Sequence, residues 1–346
     1  MVNIENYIIR DTASCKEAMK AIDKNYIKIL FIVDDDDVLE ATLTDGDIRR
    51  YLVSGGLLDD YVIHAGNKHP RVASDYSEAK SLYDKKSYIA IPIVENGKLV
   101  DIYFGDKRTI KYKPITDLRV IINAGGRGTR LDPFTKVLPK PLIPVGDLPI
   151  IEHIMQEFNK YSLSSFDIIV NYKKELIKTY FKESENKYHI IWHDEEKPLG
   201  TGGGLSLLRR DLTKTFFFTN CDILITADYE SIVRHHKNSG NVITMVCAYK
   251  SICIPYGVVQ MGKSGVIEKM EEKPDISFLT NTGMYIVEPE ALNYIKDDTQ
   301  IGFPDVVKMV KESGGKVGVY PISEFEWMDM GQLDELEKMR IRLYGK

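Results

Sequence analysis

Apolar residues in this chain fall into two patterns: short unbroken runs, and longer stretches in which they return every three to four positions. In the first third, Ile29-Leu30-Phe31-Ile32-Val33 and Ile89-Ala90-Ile91-Pro92-Ile93-Val94 are runs of the first kind and read as buried strands. A polar turn follows each, at 34–37 and at Glu95-Asn96-Gly97-Lys98, and then a second strand at 38–43 and at 99–104. Ahead of each run lies a helical stretch, with Ala18, Met19 and Ile22 in the first and Ala79, Leu82 and Tyr83 in the second. The unit is used twice, with a period of about 60 residues. The acids Asp34 to Asp37 invite a metal-binding interpretation. Successive residues of extended chain point to opposite sides, however, and charge collects at hairpin tips, so these acids read as a solvated turn.

Lys111-Tyr112-Lys113-Pro114 is polar, contains proline and precedes a fresh apolar strand. The boundary between two domains is placed there, with 1–112 before it and 116–346 after it. Beyond the boundary, short apolar runs alternate with helical stretches across 117–330, the order of an α/β domain. Val120-Ile121-Ile122-Asn123-Ala124 reads as a buried parallel strand. Phe216-Phe217-Phe218-Thr219 reads as another apolar strand, one that ends close to the carboxylate of Asp222.

Composition narrows the function classes. A chain of 346 residues with 43% hydrophobic content supports two cored domains. No stretch approaches the roughly eighteen apolar residues of a membrane span, and the start MVNIENYIIRD mixes acid and base. A soluble cytoplasmic protein without a membrane partner is expected. Cys15, Cys221, Cys247 and Cys253 form no CxxC pair, so reduced thiols are expected rather than a disulfide framework or a zinc site. A net charge of -5 offers no general attraction for nucleic acid, so an anionic substrate must be met by local basic residues.

Those basic residues are concentrated after the first apolar strand of the second domain. The strand opens into Gly125-Gly126-Arg127-Gly128-Thr129-Arg130, and glycines there leave backbone N–H groups free to face an anion. Glycine-rich turns after strands also serve structure alone, and neither GxGxxG nor GxxxxGK[ST] is present. The flank decides the matter. Arg127, Arg130, Lys136 and Lys140 stand against Asp132, while Pro133, Pro139, Pro141 and Pro144 prevent one continuous helix. The pattern implies a rigid, extended, basic strap beside a phosphate loop.

Ala124-Gly125-Gly126-Arg127-Gly128-Thr129-Arg130-Leu131, with Pro133, Thr135, Pro139-Lys140-Pro141-Leu142 and Pro144-Val145, resembles the signature of sugar-1-phosphate nucleotidyltransferases. The resemblance implies a mostly parallel, Rossmann-like sheet with helices on both faces. It implies attack by a sugar 1-phosphate on the α-phosphorus of a nucleoside triphosphate, with Mg²⁺ as cofactor. Arg130 and Lys140 are similar in position to the family's catalytic cations, and Ala124, Gly125, Gly126, Gly128 and Thr129 to its nucleotide loop. Asp222, and Asp329 in Trp327-Met328-Asp329-Met330-Gly331, resemble its metal-binding aspartates, a buried capping role being the alternative for Asp222. Gly257, the Glu272-Lys273-Pro274 element, Asn281 and Gly283 are similar to its sugar-binding residues.

Leu199-Gly200-Thr201-Gly202-Gly203-Gly204 bears on the base. Its glycines would let a flat base lie against backbone, with Gly200, Thr201 and Gly202 as binding residues. The run resembles the guanylyltransferase side of the family and implies GTP, with UTP or CTP as the alternative. Leu43-Thr44-Asp45-Gly46-Asp47-Ile48-Arg49-Arg50 resembles the end of a CBS repeat, in which Thr44 and Asp47 would hold the ribose of an adenine nucleotide. Gly105 and Arg108 stand in their places in the second copy, so a pair used only for packing or for a homo-oligomer contact is the other reading. Together these features are most similar to glucosamine-1-phosphate guanylyltransferases of bacterial legionaminic acid biosynthesis. A non-catalytic nucleotide-sensing regulator is the remaining alternative.

Overall fold

The computed structural model describes residues 4–25, 27–85, 88–105, 112–183 and 188–344, so Arg108 and Lys111 lie outside the described residues. The chain folds as two compact units, Met1–Lys111 and Tyr112–Lys346.

In the first unit, strand Ile29–Val33 is buried at all five positions and lies between Ile8–Arg10, parallel to it, and Leu39–Thr44, antiparallel to it. Helix Cys15–Lys24 starts at a capping box between Ser14 and Glu17 and buries Ala18, Met19 and Ile22. The second copy has helix Tyr76–Lys85 and the antiparallel pair Ile91–Glu95 and Lys98–Tyr103. The strand expected from residue 38 starts at Leu39, because the Asp34 carboxylate accepts from the amides of Asp36 and Val38 and keeps the intervening chain in a turn. Thr44 is the N-cap of helix Asp45–Val53, in a capping box with Asp47. The Thr44 hydroxyl donates to Asp47 at 2.5 Å, and Arg50 pairs with the other oxygen of that carboxylate. Both residues of the expected ribose site are therefore already hydrogen-bonded to each other.

The second unit is built on a seven-stranded sheet: β1 (Arg119–Asn123), β2 (Ser165–Val170), β3 (His189–Asp194), β4 (Phe216–Asn220), β5 (Ile243–Cys253), β6 (Asp275–Val287) and β7 (Val317–Ser323). Their spatial order is 3-2-1-4-6-5-7. Every adjacent pair is parallel except the two that involve β6, so the sheet is mostly parallel, with one reversed strand. Parallel neighbours require crossovers. Helix α1 (Ile150–Asn159) connects β1 to β2, α2 (Lys174–Glu183) connects β2 to β3, and α3 (Tyr229–Ser239) connects β4 to β5. Helix α4 (Phe303–Glu312) connects β6 to β7, and α5 (Leu333–Tyr344) follows β7.

Strand residues alternate between two cores. Val120, Ile122 and Phe217 pack with Ile154 and Phe158 of α1 and Leu336 of α5. Ile121, Phe216 and Phe218 pack on the opposite face with Phe303 and Val306 of α4. Helices on both faces explain why β1 and β4 are continuous apolar runs rather than alternating ones. Among the described residues, no helix is long and apolar enough to cross a membrane.

Candidate functional site

The sheet order places β1 beside β4 where the strand order reverses, and open α/β sheets bind ligands outside the carboxyl ends of strands at such a point. The last pair in register is Asn123 with Asn220. From β1 the chain enters Ala124–Gly128, anchored by the Ala124 amide on the Ile169 carbonyl at 2.8 Å. A Cβ on Gly126 would meet nothing within 4 Å, so this part of the loop is open on its outer side. Gly128 has φ +67°, and a Cβ there would press on Thr135 at 3.0 Å and Lys140 at 3.1 Å. That glycine lets the basic strap fold back onto the loop.

The strap is not extended, as the prolines suggested, but a series of short helical turns at Thr129–Leu131, Phe134–Val137 and Lys140–Leu142. Pro133 and Pro139 stand at the N-caps and Pro141 in a first turn, where the missing N–H costs nothing. The β2–α2 turn pins the strap. Lys173 donates to the carbonyls of Lys136 at 2.6 Å and Val137 at 2.8 Å, and the Tyr172 hydroxyl donates to the Thr135 carbonyl at 3.2 Å. Arg127, Thr129 and Arg130 remain exposed at the surface of the loop.

The carboxylates come from the β4 side. After β4, Ile223–Ile225 pairs antiparallel with Trp327–Asp329, with Ile223 opposite Asp329, and the Met330 amide donates to the Asp222 carbonyl at 2.8 Å. This brings Asp222 and Asp329 together from positions far apart in the chain. The Lys140 ammonium forms an ion pair with Asp222, at 14% and 20% side-chain exposure. Burial, and next the negative charge of Asp222, push the Asp329 carboxyl up from its ordinary value, against a hydrogen bond from the Gly331 amide at 2.7 Å. Two hard oxygen donors that repel each other, with one ammonium between loop and carboxylate, suit a divalent cation. Among the described residues no group of three or more metal-binding side chains occurs, so phosphate and water oxygens would have to complete the shell.

The second glycine run has a different reason for its composition. Gly200–Gly203 is a helical turn continued by Gly204–Leu208, and Gly202, Gly203 and Gly204 are buried. A Cβ on Gly202 would meet the Phe303 backbone at 3.0 Å, and one on Gly203 the Thr299 carbonyl at 2.4 Å. The Thr201 hydroxyl accepts from the Phe303 amide at 3.0 Å, and Asn123 donates to the Thr201 carbonyl at 3.3 Å. At Gly202 the absent side chain therefore faces protein backbone. Thr201 reaches the end of β1 through Asn123, and Gly200 lies against the Ile301 backbone.

The sugar-site candidates divide. Gly283, at φ +89°, lies against Asn220, where a Cβ would meet the amide nitrogen at 2.6 Å, and its own amide donates to Asn281 at 3.1 Å. These two residues join the switch-point site. Gly257 lies against Glu272, and the Lys273 amide donates to the Tyr256 carbonyl at 3.3 Å, so those three form one group at the base of the hairpin Val258–Met261 and Ile267–Glu271. No hydrogen bond or ion pair among the described residues links that group to Lys140, Asp222 or Asp329. Sequence reasoning passed over Asn123, Tyr172, Lys173 and Glu195, whose roles depend on contacts far away in the chain.

Residues 119–343 match the Nucleotidyl transferase family. The chain belongs to that family. Residues 3–54, the first copy of the repeat, match the CBS domain. The second unit of this nucleotidyl transferase is similar to the mannose-1-phosphate guanylyltransferase catalytic subunit beta of Xenopus tropicalis, 34% identical over 62% of this chain and 61% of that protein. It is also similar to mannose-1-phosphate guanyltransferase 2 of Candida glabrata, 31% identical over 62% of each chain. The chain thus spans less than two thirds of the length of these relatives. In fold it is similar to HddC from Yersinia pseudotuberculosis, at 19% identity and a TM-score of 0.52 over 66% of this chain and 100% of that one.

Proposed function

We propose that this nucleotidyl transferase joins a phosphate oxygen of a sugar 1-phosphate to the α-phosphorus of a nucleoside triphosphate. The bond between that phosphorus and the bridging oxygen breaks, and pyrophosphate leaves. The observation that carries this reading is the convergence of Lys140, Asp222 and Asp329 beside Gly128 at the switch point of the sheet. Both reactants are anions, so the work of the site is charge neutralisation and alignment. Backbone amides of Ala124–Gly128 would hold the phosphates, with Arg130 on the leaving pyrophosphate and Lys140 on the phosphate oxygens that approach each other. Asp222 and Asp329 would hold Mg²⁺, which when bound offsets the negative charge of the triphosphate. Asn281 and Gly283, and in a second group Gly257, Glu272 and Lys273, are the proposed sugar contacts.

GTP is the proposed triphosphate. The LGTGG run and the names of both guanylyltransferase relatives support it. Glucosamine 1-phosphate, on the way to a legionaminic acid, is the sugar phosphate that the motif combination supports. Mannose 1-phosphate stands beside it because it is named in both relatives. The enzyme is proposed to act in the cytoplasm. In the first unit, an adenine nucleotide would have to displace the Thr44–Asp47 hydrogen bond to use those groups. A panel of GTP, UTP, CTP and dTTP against glucosamine, mannose and glucose 1-phosphates, scored by pyrophosphate release, tests the whole reading. Release with GTP and one sugar phosphate is expected. No release with any pair would overturn it.

A further inference from the structure

The hairpin whose base carries Gly257, Glu272 and Lys273 presents an apolar face that the proposed reaction does not use. Its strands, Val258–Met261 and Ile267–Glu271, pair only with each other among the described residues. Val259 lies opposite Met270, and Met261 opposite Ile267, so these four side chains share one face. Val259 is 51% exposed, Met270 65%, Met261 74% and Ile267 61%, and Val266 in the turn between the strands is 66% exposed. The other face carries Val258, Gln260, Lys269 and Glu271, and there Lys269 pairs with Glu271 at 2.8 Å. A two-stranded hairpin is marginal in water by itself, and a contiguous apolar face on unpaired strands marks a place of association.

We propose that this hairpin is the contact between two copies of the chain, apolar face against apolar face about a two-fold axis, and that the contact steadies Gly257, Glu272 and Lys273 for the sugar phosphate. The second half rests on the reading that those residues meet the sugar. Two observations select a second copy as the occupant. The first is charge: from 258 to 273, Lys263, Lys269 and Lys273 balance Glu268, Glu271 and Glu272. A balanced segment draws neither a polyanion nor a strongly basic partner, and it meets its own copy without net repulsion. The second is area. The five apolar residues expose about 600 Å², so two copies would bury about 1,200 Å², the lower end of a specific interface. A two-fold axis uses the same patch on both partners, so no complementary surface elsewhere is needed. The hairpin is tied to its base by the Lys273 amide on the Tyr256 carbonyl at 3.3 Å and the Ile254 amide on the Pro274 carbonyl at 3.0 Å. Fixing its strands therefore also limits the residues that begin and end them.

The test uses the full chain in sedimentation equilibrium over a wide range of protein concentration, comparing wild type with Met261→Lys combined with Met270→Lys. Both methionines are exposed, so the charges oppose association more than folding. The mass of the wild-type assembly should be halved in the variant. The KM for the sugar phosphate should rise roughly threefold or more, with little change in the KM for the triphosphate. A monomeric wild type, or a variant of unchanged mass, would overturn the contact. Halved mass with an unchanged KM for the sugar phosphate would overturn the second half alone and leave the transferase reading intact. Absence of pyrophosphate release with every substrate pair would remove that reading and the second half with it, while the mass still decides the contact. Should the variant fail to fold, hydrogen exchange of wild type supplies the answer: amides of 258–271 should gain protection as protein concentration rises. Protection that is absent, or the same at every concentration because the hairpin packs on its own chain, refutes the idea.

Discussion

Two glycine runs, Gly125-Gly126 with Gly128 and Gly200 with Gly202-Gly203-Gly204, look alike as strings and behave differently in the fold. In the first, a Cβ at Gly126 would enter open space, and Gly128 needs its positive φ to turn the strap back. In the second, the places of the missing side chains are taken by the backbone of 299–303 and by Glu195. The first run is open on one side at Gly126, where we propose that its amides meet a ligand, and the second lets two protein segments approach. A glycine thus reports close approach without saying what approaches.

The largest expected effect tests whether the open run leads to chemistry. Asp222→Asn keeps the shape and removes the charge that meets Lys140. It should lower kcat by about 10²–10³-fold, the usual loss for a charge acting on a developing anion, with little change in thermal stability. Pyrophosphate release together with a melting curve reads both. A variant that turns over normally would mean the switch-point site is not the reaction centre.

The packed run should fail in the opposite way. Gly203→Val places a branched side chain 2.4 Å from the Thr299 carbonyl, and overpacking of this kind costs about 3 kcal/mol. Gly202→Val, against the Phe303 backbone, should lose stability too. Both are stability variants first, which differs from the effect expected of a base-facing glycine. Denaturant unfolding with a normal midpoint for Gly203→Val, combined with lost GTP binding, would show that the turn faces the base after all.

Gly126→Ala is the counterpart on the open side. With nothing within 4 Å of the new methyl group, stability should stay within about 0.5 kcal/mol of wild type. The methyl group stands between the loop amides and an anion, so KM for the triphosphate should rise about tenfold with little change in KM for the sugar phosphate. Unchanged kinetics would move the phosphate site away from Gly126.

Much of this contrast was hidden in the chain for physical reasons. The alternation of apolar runs with helical spacing made β1 and β4 legible, because strands buried on both faces must be apolar throughout. Asp222 and the glycine loop were legible because each directly follows such a strand. The meeting of Asp222 with Asp329 followed from the family likeness alone, since the antiparallel pair that joins them spans more than a hundred residues. Glu195 was not legible: beside Glu196 and Lys197 it looks like ordinary loop charge, and its burial depends on Gly125 and Gly204. The strap was misjudged because prolines that break a long helix also begin short ones.

The smallest expected effect concerns the cost of keeping the open site ready. Burial and the charge of Asp222 raise the Asp329 carboxyl in the folded chain, so folded protein holds that proton to higher pH than unfolded protein does. The stability contributed by this group is complete below the unfolded value of about 3.9 and is lost as pH rises through the higher folded value. At neutral pH the unliganded protein therefore carries the unfavourable ionised form. Asp329→Asn should relieve it, gaining stability relative to wild type as pH rises from about 4 towards 7. The gain should stay below about 1 kcal/mol, because the pair is partly solvated and Lys140 already offsets some of the repulsion. Adding Mg²⁺ with GTP should stabilise wild type and leave the variant nearly unchanged, since the variant has lost one of the two proposed oxygen ligands. Melting curves at pH 4 and pH 7, with and without Mg²⁺ and GTP, measure both differences. A variant less stable than wild type at pH 7 without ligand would show that Asp329 serves the fold as the packed glycines do, and would remove it from the ligand-facing side of the comparison.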